Sequence, residues 1–323
     1  LAHDRTLVCI GLNEKRLLWK IPDADISLSG IMLTEDGSLV FGSNSGRLLV
    51  VDTLTGRVSK QWQLGTRPLA IVGSHDATVL FRQDRTSNLT AFDIEAGRVL
   101  WTAMLSEGDS VGGARFLAPS WLCCFLSARN SSLGVIALDE HTGAEKWRRE
   151  FPFSESVPLS MINLAQIGRD VVVPRSLLIG KDGLASVLDG LDADSGKDSW
   201  QSPSGASSAF PVVIGDYLIH ESLSPSPHLI ALKWPERAIK WSMTPAYETE
   251  LHITWGSKLL TKAKDFIIYQ ATDNRTLSII EHDTGQVRMQ IEAENVIAAG
   301  IHARRCYYVT AEDQSLWVSR SFR

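Results

Sequence analysis

Cysteines, histidines and a short acidic run are the residues of this chain whose types could do chemistry. Cys9, Cys123, Cys124 and Cys306 all lie in apolar, strand-like surroundings such as Trp121-Leu-Cys-Cys-Phe-Leu126. That setting reads them as small buried hydrophobes, not as a disulfide framework, because a chain of this length builds a core without staples. The histidines, at 3, 75, 141, 220, 228, 252, 282 and 302, show no paired metal-ligand spacing. Asp189, Asp192 and Asp194 precede Ser195-Gly196 in the manner of a calcium loop. The glycine comes at the wrong offset and no glutamate closes the loop, so turn formation is the reading. No Gly-x-Ser-x-Gly elbow anchors a hydrolase triad. No catalytic residue, metal ligand or cofactor ligand is therefore assigned.

The bulk numbers narrow the function classes further. Net charge is −5, the apolar fraction 44% and the charged fraction 21%, ordinary values for a folded domain. Arg148–Arg149 and Arg304–Arg305 are isolated basic pairs. Binding nucleic acid by phosphate neutralisation is disfavoured. No apolar run approaches the roughly 18 residues that span a bilayer. The first residue is Leu1 and no signal-peptide pattern follows, so the chain reads as a mature or excised segment. Asn88-Leu-Thr90, Asn130-Ser-Ser132 and Asn274-Arg-Thr276 fit the glycosylation triplet and leave both cytoplasmic and secretory compartments open.

What organises the chain is a repeated phrase. Ala137, Asp139, Gly143 and Trp147 recur with the same spacing as Ala91, Asp93, Gly97 and Trp101. Gly190, Asp192, Gly196 and Trp200 repeat it again. Weaker copies keep the frame: Trp19; Asp52 and Gly56, with Lys60 in the tryptophan place and Trp62 displaced by two; Ala231, Arg237 and Trp241; Gly285 and Met289. The tryptophan places are 19, 60, 101, 147, 200, 241 and 289. The remainder beyond 289, added to the first 19 residues, makes one more full step. A fixed period of this length that closes on itself is the mark of a ring of repeats.

Each repeat reads as short strands with period-two alternation and turn chemistry between them. Ser38 to Gly42 and Arg47 to Val51 flank an Asn/Gly-rich turn, a hairpin signal. No stretch carries a helical apolar face of useful length. The expectation is an all-β, seven-bladed β-propeller with four antiparallel strands per blade. It forms one domain over 1–323, with one blade shared between about 1–21 and 294–323. In the phrase, glycine allows a tight turn and a bare peptide face for a neighbouring indole, and the aspartate accepts backbone N–H bonds in the turn. The residues read as blade-docking are Trp19, Asp52, Gly56, Asp93, Gly97, Trp101, Asp139, Gly143, Trp147, Asp192, Gly196, Trp200, Trp241 and Gly285.

The phrase Ala-x-Asp-x-x-x-Gly-x-x-x-Trp resembles the tryptophan-docking repeat of the PQQ-like (quinoprotein-type) β-propellers. That family includes quinone-dependent dehydrogenases and a non-enzymatic BamB-like branch. The enzymes imply a redox-active pair of adjacent cysteines beside the cofactor, which Cys123-Cys124 matches as a dipeptide, together with long insertions carrying calcium ligands. The sequence favours the non-catalytic branch: a scaffold for protein–protein interaction or complex assembly, with an envelope assembly role or a PQQ-dependent oxidoreductase as alternatives. Longer connections follow the fourth and later phrases, and insertions on one face of a repeat array are the expected binding face. Phe151, Phe153, Tyr247 and Trp255 are the candidate aromatic anchors for a protein partner, with Phe151 and Trp255 reading equally well as core residues.

Overall fold

A computed structural model describes residues 2–3, 6–11, 16–22, 24–34, 37–84, 86–127, 132–151, 164–179, 183–202, 211–222, 228–244, 259–263, 265–270, 276–293, 296–302, 305–310, 316–319 and 321. Among these residues there is no helix, and hence none long and apolar enough to cross a membrane. The strands divide between two compact units, Leu1–Leu164 and Ala165–Arg323.

The N-terminal unit holds four sheets. The first is β1 (Ala2–His3), β2 (Thr6–Gly11) and β3 (Arg16–Ile21); the second is β4 (Ile26–Leu33), β5 (Leu39–Ser43), β6 (Arg47–Val51) and β7 (Val58–Gln63). The third is β8 (Leu69–His75), β9 (Thr78–Gln83), β10 (Asn88–Asp93) and β11 (Arg98–Met104). The fourth is β12 (Ser110–Leu117), β13 (Ser120–Ser127), β14 (Ser132–Asp139) and β15 (Glu145–Phe151).

The C-terminal unit holds four more. They are β16 (Ala165–Ile167), β17 (Asp170–Ile179), β18 (Gly183–Asp192) and β19 (Asp198–Gln201); then β20 (Val212–Ile214), β21 (Tyr217–Ser222), β22 (His228–Lys233) and β23 (Ala238–Met243). Next come β24 (Leu259–Ala263), β25 (Phe266–Gln270), β26 (Thr276–Glu281) and β27 (Val287–Glu292), and finally β28 (Val296–His302), β29 (Arg305–Thr310) and β30 (Leu316–Val318). Every sheet is an antiparallel meander in chain order, the topology that short turns between period-two strands impose.

The phrase maps onto the third and fourth strands. Its alanine place stands directly opposite its tryptophan place: Ala91 against Trp101, Ala137 against Trp147, Gly190 against Trp200, Ala231 against Trp241, and Cys9 against Trp19. A register shift follows that pair in each case. A bulge sharpens the local twist, and the small residue leaves room for the indole above it. Burial follows the same repeat. Trp101, Trp121, Phe125 and Ile136 share one core cluster between neighbouring sheets, and Ile219, Trp241, Ile267 and Tyr269 share another.

Among the described residues each end of the chain forms a sheet of its own, one in each unit. Strands β1–β3 pair with one another, and so do β28–β30. The Cys9–Trp19 pair makes β2 and β3 a third and a fourth strand, so the described strands of the first sheet are its second to fourth. The shift between Val296 and Ala298 matches those of first strands β8 and β12, so the described strands of the last sheet are its first to third. Each terminus supplies one strand more than the two that the repeat arithmetic allotted it, and each set pairs within itself.

Candidate binding face

The turn between third and fourth strands builds a joint between consecutive sheets. Asp139 Oδ1 accepts the amides of His141 and Thr142 at 3.1 and 3.0 Å and the Thr142 hydroxyl at 3.0 Å, while Gly143 N donates to the Asp139 carbonyl. The Thr142 hydroxyl, with those amides, pulls the Asp139 carboxyl down to about 2. Asp52, Asp93 and Asp192 make corresponding bonds, and Glu281 replaces aspartate in the last copy, held by the Thr284 hydroxyl and by Arg288 Nη2, which reaches both carboxylate oxygens. The turn glycines Gly56, Gly97, Gly143, Gly196 and Gly285 all have φ between +66° and +72°.

On that bare turn lies the indole of the preceding sheet. A Cβ on Gly56, Gly143 or Gly285 would come 2.6, 2.5 or 2.7 Å from Trp19, Trp101 or Trp241. The indole N–H of each donates to the carbonyl that follows the acidic residue: Trp19 to Thr53 at 2.7 Å, Trp101 to Glu140 at 2.7 Å, and Trp241 to His282 at 2.8 Å. Where lysine takes the tryptophan place the joint splits in two. Lys60 Nζ donates to the equivalent Ile94 carbonyl at 2.9 Å, and Trp62 covers Gly97. At Arg237 a non-glycine residue keeps φ +57°. Its guanidinium donates to the Ser199 carbonyl at 2.8 Å, approaches Asp170 at 3.5 Å and lies 4.9 Å from the Trp234 ring, which packs edge-on against Trp200. Trp147 sits on β15 opposite Ala137.

These joints occupy one end of the strands, and the connectors between sheets occupy the other. Antiparallel order puts each fourth-to-first connector beside the turn between second and third strands. Leu64 N donates to the Gly46 carbonyl at 3.0 Å and Leu105 N to the Ser87 carbonyl at 2.9 Å. Connectors 64–68 and 105–109 are short, whereas 152–164, 202–211 and 244–258 are long.

Second strands end at this connector end in polar side chains that fasten the connectors. Gln83 donates to the Leu64 carbonyl, and Gln270, fully buried, donates to the Ala293 carbonyl at 2.9 Å while accepting Val296 N at 3.1 Å. Buried Glu221 accepts the Tyr269 hydroxyl at 2.7 Å, joining β21 to β25. Next to it, burial holds the His220 imidazole down to about 4. In the fourth sheet Arg148 stacks 4.6 Å over Phe125 and pairs at 3.1 Å with Asp109 of the preceding connector. The sequence reading missed these residues; the signal was a polar residue closing an otherwise apolar strand.

The expected anchors fare unevenly. Phe151 ends β15 at 3% exposure, paired with Leu133, the core position that its sequence context equally allowed. Phe153, Tyr247 and Trp255 lie outside the described residues. Cys123 and Cys124 are free thiols, both fully buried in β13. Burial pushes Cys123 up to about 12 and Cys124 up as well. Among the described residues no group of three or more His, Cys, Asp or Glu side chains is placed to hold a metal ion.

Several known proteins are similar to this chain in fold. The profile of the family described as outer membrane protein assembly factor BamB matches residues 3–243. BamB from Moraxella catarrhalis is 16% identical, covering 98% of this chain and 94% of that one, with a TM-score of 0.59. The computationally designed Ika8 protein is 15% identical over 94% of this chain and 86% of its own, at 0.66. The Cps50 (Swd1) β-propeller domain of Myceliophteria thermophila is 12% identical over 90% and 95%, at 0.54. No curated protein sequence matches the chain. At these identities the likeness shows the fold, which is that of a β-propeller.

Proposed function

The chain belongs to the family of the outer membrane protein assembly factor BamB, and from that membership we propose that it is a non-catalytic scaffold that holds a protein partner at its connector end. In finer terms the reading is a single propeller with seven phrase-bearing repeats, each closed by a fourth strand at the tryptophan place. The observation that carries the binding assignment is the separation of ends. Indole joints fill one end of the strands, whereas the long connectors 152–164, 202–211 and 244–258 all leave from the other. Chain length that varies between repeats is spare with respect to the joint and available for recognition.

The test is affinity capture from a native lysate with the chain and with a variant whose 152–163 segment is replaced by a short turn. The replacement is expected to lose its partners while keeping its unfolding midpoint. An unchanged partner set with an unchanged midpoint removes this connector from the reading. The scaffold reading as a whole fails if incubation with PQQ and calcium gives cofactor absorbance and dye-linked alcohol oxidation.

A further inference from the structure

Arg82 is a cation in an apolar row. It stands between Ala70 of β8 and Leu89 of β10, both buried, and two places along β9 from Leu80. Leu80 and Leu89 belong to the core cluster that the third sheet shares with Trp121, Phe125 and Ile136 of the fourth. Alternation therefore turns Arg82 into the same space between the two sheets, at its connector end. The repeat gives this place a duty. Leu80, Ile219 and Ile268 stand opposite the alanine place of their sheets, and two residues on come Arg82, Glu221 and Gln270. Gln270 bonds Ala293 and Val296 on the way into the following sheet, at 2.9 and 3.1 Å, and Glu221 accepts the Tyr269 hydroxyl of its following sheet at 2.7 Å. Arg82 makes no corresponding bond.

Its Nε is buried without an acceptor, and among the described residues Arg82 makes no ion pair. Burial holds the guanidinium below the ordinary arginine value, and the charge of exposed Asp84 acts against this. The carboxylates across the gap go to a different cation. Arg148, stacked over Phe125, takes Asp109 at 3.1 Å, Glu145 at 3.3 Å and Glu150 at 3.6 Å. One guanidinium between these sheets has three carboxylates, and the other has none paired to it.

We propose that Arg82 is the anchor for an acidic side chain of the protein partner, its guanidinium receiving the carboxylate at the connector end between the third and fourth sheets. The site rests on the connector-end reading and gives the partner's chemistry there. A half-buried unpaired charge is costly, and a carboxylate that meets the planar fork of arginine in two parallel bonds removes that cost. Ala70 and Leu89 add no donor to the row, so a carboxylate on a methylene stem suits it better than a free phosphate, whose other oxygens need donors too. The chain as a whole carries −5, so an acidic segment is repelled at large and held where a cation stands uncompensated.

The probes are capped hexaglutamate and, as the uncharged control, capped hexaglutamine. Each is added to the full chain while the Arg82 Nε–H resonance, assigned with Arg82→Lys, is followed by NMR. Hexaglutamate should shift that resonance saturably and hexaglutamine should not, a result read in the unsubstituted chain. Arg82→Gln should weaken hexaglutamate binding roughly tenfold or more, and Arg82→Lys, which keeps the charge and loses the fork, by less. No saturable shift, or equal binding by Arg82→Gln, overturns the proposal. So does an equal shift with inorganic phosphate, which assigns Arg82 to small anions. Asp109 Oδ1 is also buried without a donor. If Asp109→Asn moves the Arg82 resonance of the free chain as far as hexaglutamate does, that carboxylate already serves Arg82 and the proposal falls. Lysate capture separates the anchor from the connector-end reading. Partners lost with the 152–163 replacement but kept by Arg82→Gln overturn the anchor alone, whereas partners kept by both variants remove that connector and the anchor alike.

Discussion

Arg237 holds φ +57° where the glycines of the other turns hold +66° to +72°, and its guanidinium, engaged with Ser199, Asp170 and Trp234, keeps it there. Arg237→Ala and Arg237→Gly both lose those contacts, but only alanine keeps the left-handed penalty. The alanine variant should be the less stable of the two by about 1–2 kcal/mol in urea unfolding. Gly143 adds a second cost. At Gly143→Ala the new methyl meets the Trp101 ring at 2.5 Å, whereas at Gly37, with φ +83°, nothing lies within 4 Å. Gly143→Ala should therefore cost about 1–3 kcal/mol more than Gly37→Ala, and equal losses would show that the indole yields freely. His220 supplies a pH dependence. Its folded value, about 4, lies below the ordinary 6.5, so the unfolded chain takes up the proton first as pH falls. Its contribution is whole above about pH 6.5 and is lost progressively toward about pH 4, a fall on the order of 3 kcal/mol that His220→Gln should flatten. The phrase residues were readable from spacing alone. His220, Glu221 and Gln270 were not, because a polar residue at a strand end has no period of its own.

The elements were largely legible, since alternation and Asn/Gly turns mark the hairpins from β4 to β15 without tertiary information. What the period could not supply is the register at which sheets meet, and there the joints show substitution by function. Lys60 replaces the indole N–H with an ammonium, and Trp62 replaces its ring. Trp101→Ala, which deletes a ring at 6% exposure, should cost about 3–5 kcal/mol. Lys60→Met, which deletes a donor from an exposed stem, should cost roughly 0.5–1.5. Urea midpoints at one protein concentration compare them; a Lys60→Met loss as large as that of Trp101→Ala would mean that the split joint bears as much as an intact one. The ends escaped the repeat arithmetic for a related reason. Counting tryptophan places counts fourth strands, and among the described residues the last sheet shows none to count.

Over the whole molecule, the connector end was visible in the sequence as the places where the phrase is delayed, between 101 and 200 and between 241 and 289. Its aromatic anchors were less so, because an aromatic beside a long connector, such as Phe151, can as readily close the core beneath it. The net charge of −5 gave no direction to the search, since the carboxylates of Asp52, Asp93, Asp139 and Asp192 are spent on turn amides. One-sided placement of the joints has a mechanical corollary. Where Trp19, Trp101 and Trp241 clasp the next turn, neighbouring sheets are leaves pinned along a spine at the turn end. At the fore-edge the connectors are tied instead by side-chain hydrogen bonds, from Gln83 and Gln270. On the proposed reading, a partner docked at the fore-edge would compete for those ties and leave the clasps at the spine untouched.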